Sequence, residues 1–274
     1  MKKLQFVLIG LGVISVLGLY ALPKVVVENK DTESTMEGEG GAPTSEAITA
    51  SHENTLSSKN RGQADQLIQQ FANAPTPEEK VASAQVLAGI YSEEGIFDSA
   101  AYYWSEAAEI WPENLFVVEE AGKASYEAFS FALDKQKVER LAAKTRTYLN
   151  RVLENDPSRL DLKTKVAMTY VSSANPMQGI TMLREVLEED PQNEDGLFNM
   201  GVLSMQSGQY ARAVERFEEL VRFHPNNVQG QFYLAVSYFE LKEKNKAKKQ
   251  FEQVKQLTQD PMILSSVQSY LDKL

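Results

Sequence analysis

Prolines recurring at one interval constrain this chain more than any other feature. Pro157, Pro191 and Pro225 stand 34 residues apart each time, and Pro112 precedes Pro157 by 45, one period plus an insertion of 11. A proline inside a helix lacks a donor and clashes with the preceding turn, and it pushes the residue before it out of the helical region. A helix stop repeated at a fixed spacing of this size means one supersecondary unit copied along the chain. Each copy is too small to bury its own apolar face and becomes stable by stacking on its neighbours. Val/Ile-rich alternation is absent after residue 30, and 15 glycines and 10 prolines in 274 residues are modest numbers. The expected class is all-α.

Other columns keep the same register. The unit 194–227 carries Leu197, Met200-Gly201, Ala213, Phe217, Leu220 and Pro225. The unit 228–261 carries Leu234-Ala235, Tyr238, Ala247, Phe251 and Val254; the unit 81–114 carries Leu87-Ala88, Tyr91, Ala100, Trp104, Ala107 and Pro112. Small residues at Ala88, Ala167, Gly201 and Ala235, and again at Ala100, Ala213 and Ala247, are expected where the two helices of a unit cross most closely. A large side chain there would overpack the crossing by ~1–3 kcal/mol. Trp104, Phe217 and Phe251 are expected to fill the space between units, and Asn, Asp, Ser or Glu beside the prolines to cap the next helix.

Large, large–small, small, aromatic, apolar and proline at a period of 34 resembles the tetratricopeptide-repeat family. The resemblance covers about residues 81–261. It implies a right-handed superhelix of about five helical hairpins plus terminal covering helices. Two units depart from the pattern. The unit 160–193 has Gly179 where alanine is usual, Leu183 for the aromatic, and Asn175-Pro176 in its turn. The unit 115–159 holds the insertion: Glu119, Ala121, Gly122, Ser125, Phe129 and Leu133 continue a helical pattern past the usual turn, and Val138, Leu141, Ala142, Thr145, Leu149 and Val152 resume it. Both helices are therefore expected to lengthen by about a turn and a half. A helix from Gln63 to Asn73 should cover the first unit, and one over 261–273, bearing Ile263, Leu264, Val267, Tyr270 and Leu271, the last.

The repeat region is expected within a domain over 61–274. Residues 1–27 differ in kind: Lys2 and Lys3 precede an apolar run from Leu4 to Leu22, long enough at ~1.5 Å per residue to cross ~30 Å of hydrocarbon. A cleavable signal peptide shares these features, but Leu19 and Ala21 make a poor cleavage pair, which favours a retained transmembrane anchor. The two lysines place the amino terminus on the cytoplasmic side of the inner membrane, with the repeat domain exported to the periplasmic side. Residues 28–60, acidic and poor in aromatics, read as a disordered linker.

The resemblance also implies that first helices line a concave groove. The groove positions fall on Thr164, Met168 and Val171, on Phe198, Val202 and Met205, and on Phe232, Tyr233, Val236 and Phe239. This apolar strip suits an amphipathic helix or extended apolar peptide; the same residues could instead pack internally, with the last helix folded into the groove. The basic pair of the clamp that holds acidic C-terminal tails is missing, since Gln229 and Tyr233 stand in its place although Asn199 is present.

Little else in the chain points to chemistry. There are no cysteines, and two histidines, His52 and His224, in unrelated contexts. No phosphate loop, serine elbow or metal-ligand spacing occurs, so neither a catalytic residue, a cofactor nor a metal is expected. A net charge of −10 without a basic stripe argues against nucleic acid, and the lysines over 242–249 read as an exposed turn. The expected function is a membrane-tethered scaffold or adaptor for a protein partner. The alternatives are a self-associating structural subunit or an assembly chaperone with the layout of tetratricopeptide subunits of cytochrome c maturation.

Overall fold

The computed structural model describes residues 56–274. The expected anchor over 1–27 and all but the end of the expected linker lie outside the described residues. Twelve α-helices and no strand occur among the described residues. After α1 (Ser58–Asn73), five hairpins follow: α2 (Pro77–Glu93) with α3 (Phe97–Ile110), α4 (Leu115–Phe131) with α5 (Lys135–Asn155), α6 (Leu160–Val171) with α7 (Pro176–Glu189), α8 (Glu194–Gln206) with α9 (Tyr210–Phe223), and α10 (Val228–Glu240) with α11 (Lys244–Leu257). A last helix, α12 (Pro261–Leu271), packs on α11. The hairpins stack in chain order into a superhelical array, as the repeat implied.

The prolines act as expected. The C-cap of each second helix stands one residue before its proline, at Trp111, Asp156, Asp190 and His224, and all four have left the helical region with ψ between 64° and 95°. Their N–H groups still donate to the carbonyls of Ala107, Val152, Val186 and Leu220 at 2.7–3.0 Å, closing the helix. Two residues past three of these prolines stands an asparagine that caps the next helix. Asn114 accepts from the N–H groups of Phe116 and Val117, Asn193 from Gly196, and Asn227 from Gly230. At the fourth position Arg159 replaces the asparagine, so α6 has no side-chain cap. Its guanidinium instead makes paired hydrogen bonds to Glu119 (2.8 and 2.9 Å) and Asp161 (2.9 Å each).

The small columns lie at the crossings. Ala88, Ala167, Ala235, Ala100, Ala213 and Ala247 are fully buried. A Cβ on Gly201 would stand 2.6 Å from the Phe217 ring of its own hairpin. Phe217 and Phe251 are fully buried, whereas Trp104 is only half-buried and meets the exposed Phe116 of the next unit edge-on at 6.2 Å.

The insertion lengthens both helices of its hairpin, but unequally. α4 has 17 residues against 13 in α8 and α10, and α5 has 21 against 14 in α9 and α11. That is about one added turn and two, where a turn and a half each was expected. Leu133 was expected to continue the helix; it lies beyond the end of α4 and is 99% exposed. The extension carries its own apolar cluster, built from Ala101, Ala124, Ala128, Phe129, Leu141 and Ala142.

Both ends also differ in detail. α1 starts at Ser58, five residues before Gln63, and Leu56 is already buried. α2 starts at Pro77 because Thr76 accepts from the Glu79 N–H, with proline at the first helical position and Glu78 and Glu79 in the first turn. The repeat unit expected from residue 81 therefore begins four residues earlier, at Pro77.

Candidate interaction groove

First helices of successive units touch one another, α6 with α8 and α8 with α10, and this contact brings the expected groove residues into one strip. In the C-terminal half the strip is continuous. Phe198 meets Tyr233 edge-on at 5.7 Å, and Tyr233 stacks on the buried Phe217 at 5.9 Å. Phe232 meets Phe251 and Tyr270 edge-on, both at 6.0 Å, and Phe239 meets Tyr270 at 5.2 Å. Phe198, Val202, Met205, Phe232, Tyr233 and Phe239 are all half-buried: one side is held by the core and the other remains open.

Three of the expected groove residues are placed differently. Thr164 is 3% exposed and its hydroxyl donates to the Leu160 carbonyl, so it belongs to the interior of α6. Val236 is 6% exposed and packed in the C-terminal core. Val171 turns toward its own hairpin partner, its Cγ2 lying 2.7 Å from where a Cβ on Gly179 would sit. Met168 is half-buried. The third unit therefore contributes little open apolar surface. A Cβ on Gly179 would stand 2.3 Å from the Ala167 carbonyl oxygen, so α6 and α7 approach backbone to backbone at this point.

The structure adds residues that the groove expectation omitted. A cleft of about 220 Å³ opens between α10 and α12, lined by Val228, Gln229, Phe232, Tyr233, Met262, Ile263 and Ser266. Met262, Ile263 and Ser266 stand 34 residues after Val228, Gln229 and Phe232. The far wall is thus the first helix of a sixth unit, and continuing the period by one step locates it. Met262 at the rim is 80% exposed. Burial, and secondarily the charge of Glu240, raises the Tyr270 phenol above its ordinary value, keeping a hydroxyl donor on this apolar wall.

Charged residues along the array serve structure. His224 places Nε2 2.7 Å from the Gln192 carbonyl and Nδ1 3.4 Å from Glu194, while Asn227 donates to Glu194 at 2.7 Å. These contacts latch one proline turn to the next. Among the described residues no group of three His, Asp or Glu side chains could hold a metal ion, and no helix is long and apolar enough to cross a membrane.

Comparison with known proteins agrees with this geometry. The tetratricopeptide repeat family model matches residues 171–229 and 204–267. Among solved structures, the chain is similar to a tetratricopeptide repeat protein from Parabacteroides merdae, with 15% identity, a TM-score of 0.57, and coverage of 83% of this chain and 85% of that one. It is more distantly similar to MamA, at 14% identity and a TM-score of 0.45 over 65% of this chain and 91% of that one. Similarity to YrrB, described as a TPR protein with an unusual peptide-binding site, is at 14% identity and a TM-score of 0.42 over 75% of this chain and 99% of that one. No match was found among curated proteins. The tetratricopeptide-repeat model accounts for residues 171–267, and the proline period and five stacked hairpins extend the same repeat fold over the described residues before them.

Proposed function

We propose that the chain is a non-enzymatic scaffold that holds a protein partner through the apolar wall of its last two repeats, and that residues 4–22 tether it to a membrane with the repeat domain on the exported side. The cleft between α10 and α12 carries this reading. A concave site with aromatic walls and few polar groups (Gln229, the Tyr233 phenol and Ser266) is suited to the apolar face of an amphipathic segment. The half-buried rings are held by the core, so little side-chain entropy is lost when a partner covers them.

Met262→Glu tests the reading. The side chain is 80% exposed, so the charge leaves the fold intact while blocking the cleft. Crosslinking in intact membranes followed by capture should recover a partner with the wild-type chain and lose it with the variant, at unchanged thermal unfolding. Equal recovery would remove the cleft from the binding site. Phe232→Ala is a poorer probe because Phe232 also packs on Phe251 and Tyr270.

Self-association is the second reading, favoured by α12 itself. Val267 is its single fully buried residue, and Met262 at the cleft rim is 80% exposed. A mass that rises with concentration in light scattering, and falls to the monomer in Met262→Glu, would assign the wall to a second copy.

A further inference from the structure

We infer that the edge of the array formed by the within-hairpin turns faces an anionic lipid surface, with the tip of the α4–α5 hairpin dipping into it. All first helices run one way and all second helices the other. The within-hairpin turns therefore share one edge and the proline turns share the opposite one.

Three observations single out the first edge. The tip is apolar and open: Phe131 is 68% and Leu133 99% exposed. It is also raised, since α4 runs four residues past the length of α8 and α10, which is ~6 Å at ~1.5 Å per residue. Two side chains on a projecting point give too little area for a stable protein interface, which takes ~800 Å² per partner. Insertion at the headgroup boundary needs only that the point be reached.

The second observation is charge. On this edge Lys135, whose side chain is 89% exposed, stands beside the tip, and Lys242, Lys244 and Lys248 stand with Glu240 and Glu243 at the last within-hairpin turn, while Glu93 and Glu94 lie at the first. Asp134, the acid at the tip, is turned back to accept from the Lys137 N–H at 2.8 Å. The opposite edge is acidic, with Glu188, Glu189, Asp190, Glu194 and Asp195 around a single proline turn. An anionic surface would be repelled by the proline-turn edge and would meet Lys135 at the tip of the other.

The third is the point of entry. The Ser57 N–H donates to the Glu94 carboxylate at 3.2 Å and the Asn60 amide at 2.6 Å, and Leu56 is buried. Glu94 caps α2 at the first within-hairpin turn. The 55 residues that precede Leu56 thus join the domain on the edge that carries the tip.

Because the chain has no cysteine, single labels report position directly. An environment-sensitive dye is placed in the full chain at Gln136→Cys beside the tip, at Glu189→Cys on the opposite edge, or at Ser15→Cys in the apolar run. Each protein is reconstituted with vesicles containing brominated lipid, either phosphatidylcholine alone or mixed with phosphatidylglycerol. The expected result is a blue shift and quenching at 136, stronger with phosphatidylglycerol, with no quenching at 189. Phe131→Ser combined with Leu133→Ser should abolish the signal at 136. A dye at 136 that stays in water in both vesicles overturns the inference, and so does quenching that survives the double serine variant. The dye at 15 reports the tether separately, so an inserted tether with an unquenched tip defeats this inference alone. Shielding at 136 only after solubilised membrane proteins are added would assign the tip to a protein and also overturn it.

Discussion

Gly179→Ala should destabilise the domain, although alanine is the usual residue in its column and the better helix former. The substitution lies inside α7, where exchanging glycine for alanine normally gains ~1 kcal/mol. Here the added Cβ would stand 2.3 Å from the Ala167 carbonyl oxygen and 2.7 Å from the Val171 backbone nitrogen. Both are backbone atoms of α6, so no side chain can rotate away. The helices must separate by about 1 Å to reach ordinary contact near ~3.5 Å. Overpacking costs ~1–3 kcal/mol and a displaced hairpin sits at the upper end, leaving a net loss of ~1–2 kcal/mol. For a domain of this size that lowers Tm by about 3–6 °C. Gly89→Ala is the control: it is also inside a helix, but its Cβ would meet nothing within 4 Å, so it should gain ~0.5–1 kcal/mol. Thermal and urea unfolding followed by far-UV circular dichroism read both. A Gly179→Ala variant as stable as wild type, or stabilised like Gly89→Ala, would refute the claim that α6 and α7 cross too closely for a methyl group.

Three further outcomes follow from the capping, the charges and the extended hairpin. Asn227→Ala removes the acceptor for the Gly230 N–H and the partner of Glu194, and should cost ~1 kcal/mol in urea unfolding, with Asn227→Asp retaining most of the cap. Hydrogen bonding from Arg159, above all, holds the Glu119 carboxyl below its ordinary value. A carboxyl depressed in the folded state contributes stability that is present above the ordinary glutamate range and lost as pH falls through it. Glu119→Gln should therefore flatten the acid limb of stability against pH while leaving its neutral-to-alkaline shape unchanged. Leu141→Ala, which empties a 5% exposed site in the extension's own cluster, should cost ~2–4 kcal/mol in unfolding, and capture of a partner by the cleft should survive it.

The architecture was legible because its determinants are local and repeated. A proline stop, an asparagine two residues on, and a small residue at each crossing are independent signals that agree at one spacing. What stayed hidden was of two kinds. Starts and ends of helices outside the repeat, at Ser58 and Pro77, obey capping chemistry that the period does not see. Groove membership depends on how far a helix is drawn inward, which is a property of the packed pair. Phe198 and Phe232 stay half-open in the strip, each edge-on to the buried ring of its own hairpin, Phe217 or Phe251. Thr164 occupies the matching position and is buried, while Val171, which matches Met205 and Phe239, turns toward Gly179.

The third unit shows why its departures come together. Leu183 replaces the aromatic ring, so the space between its helices can be filled only by bringing them closer, since a cavity would cost more than the movement. Closing that distance leaves no room for the usual alanine, and Gly179 is the residue that permits the approach. Val171 turns toward Gly179 on this close crossing, and it and Met168 are the half-buried apolar residues of the three expected there. The change in core volume coincides with where the aromatic strip begins, at Phe198, in the fourth and fifth units and the covering helix. If that coupling holds, restoring bulk by Leu183→Phe together with Gly179→Ala should be tolerated better than either change alone, a non-additivity that double-mutant unfolding can measure. Additive losses would mean that the two substitutions are unrelated and that another cause sets the depth of α6.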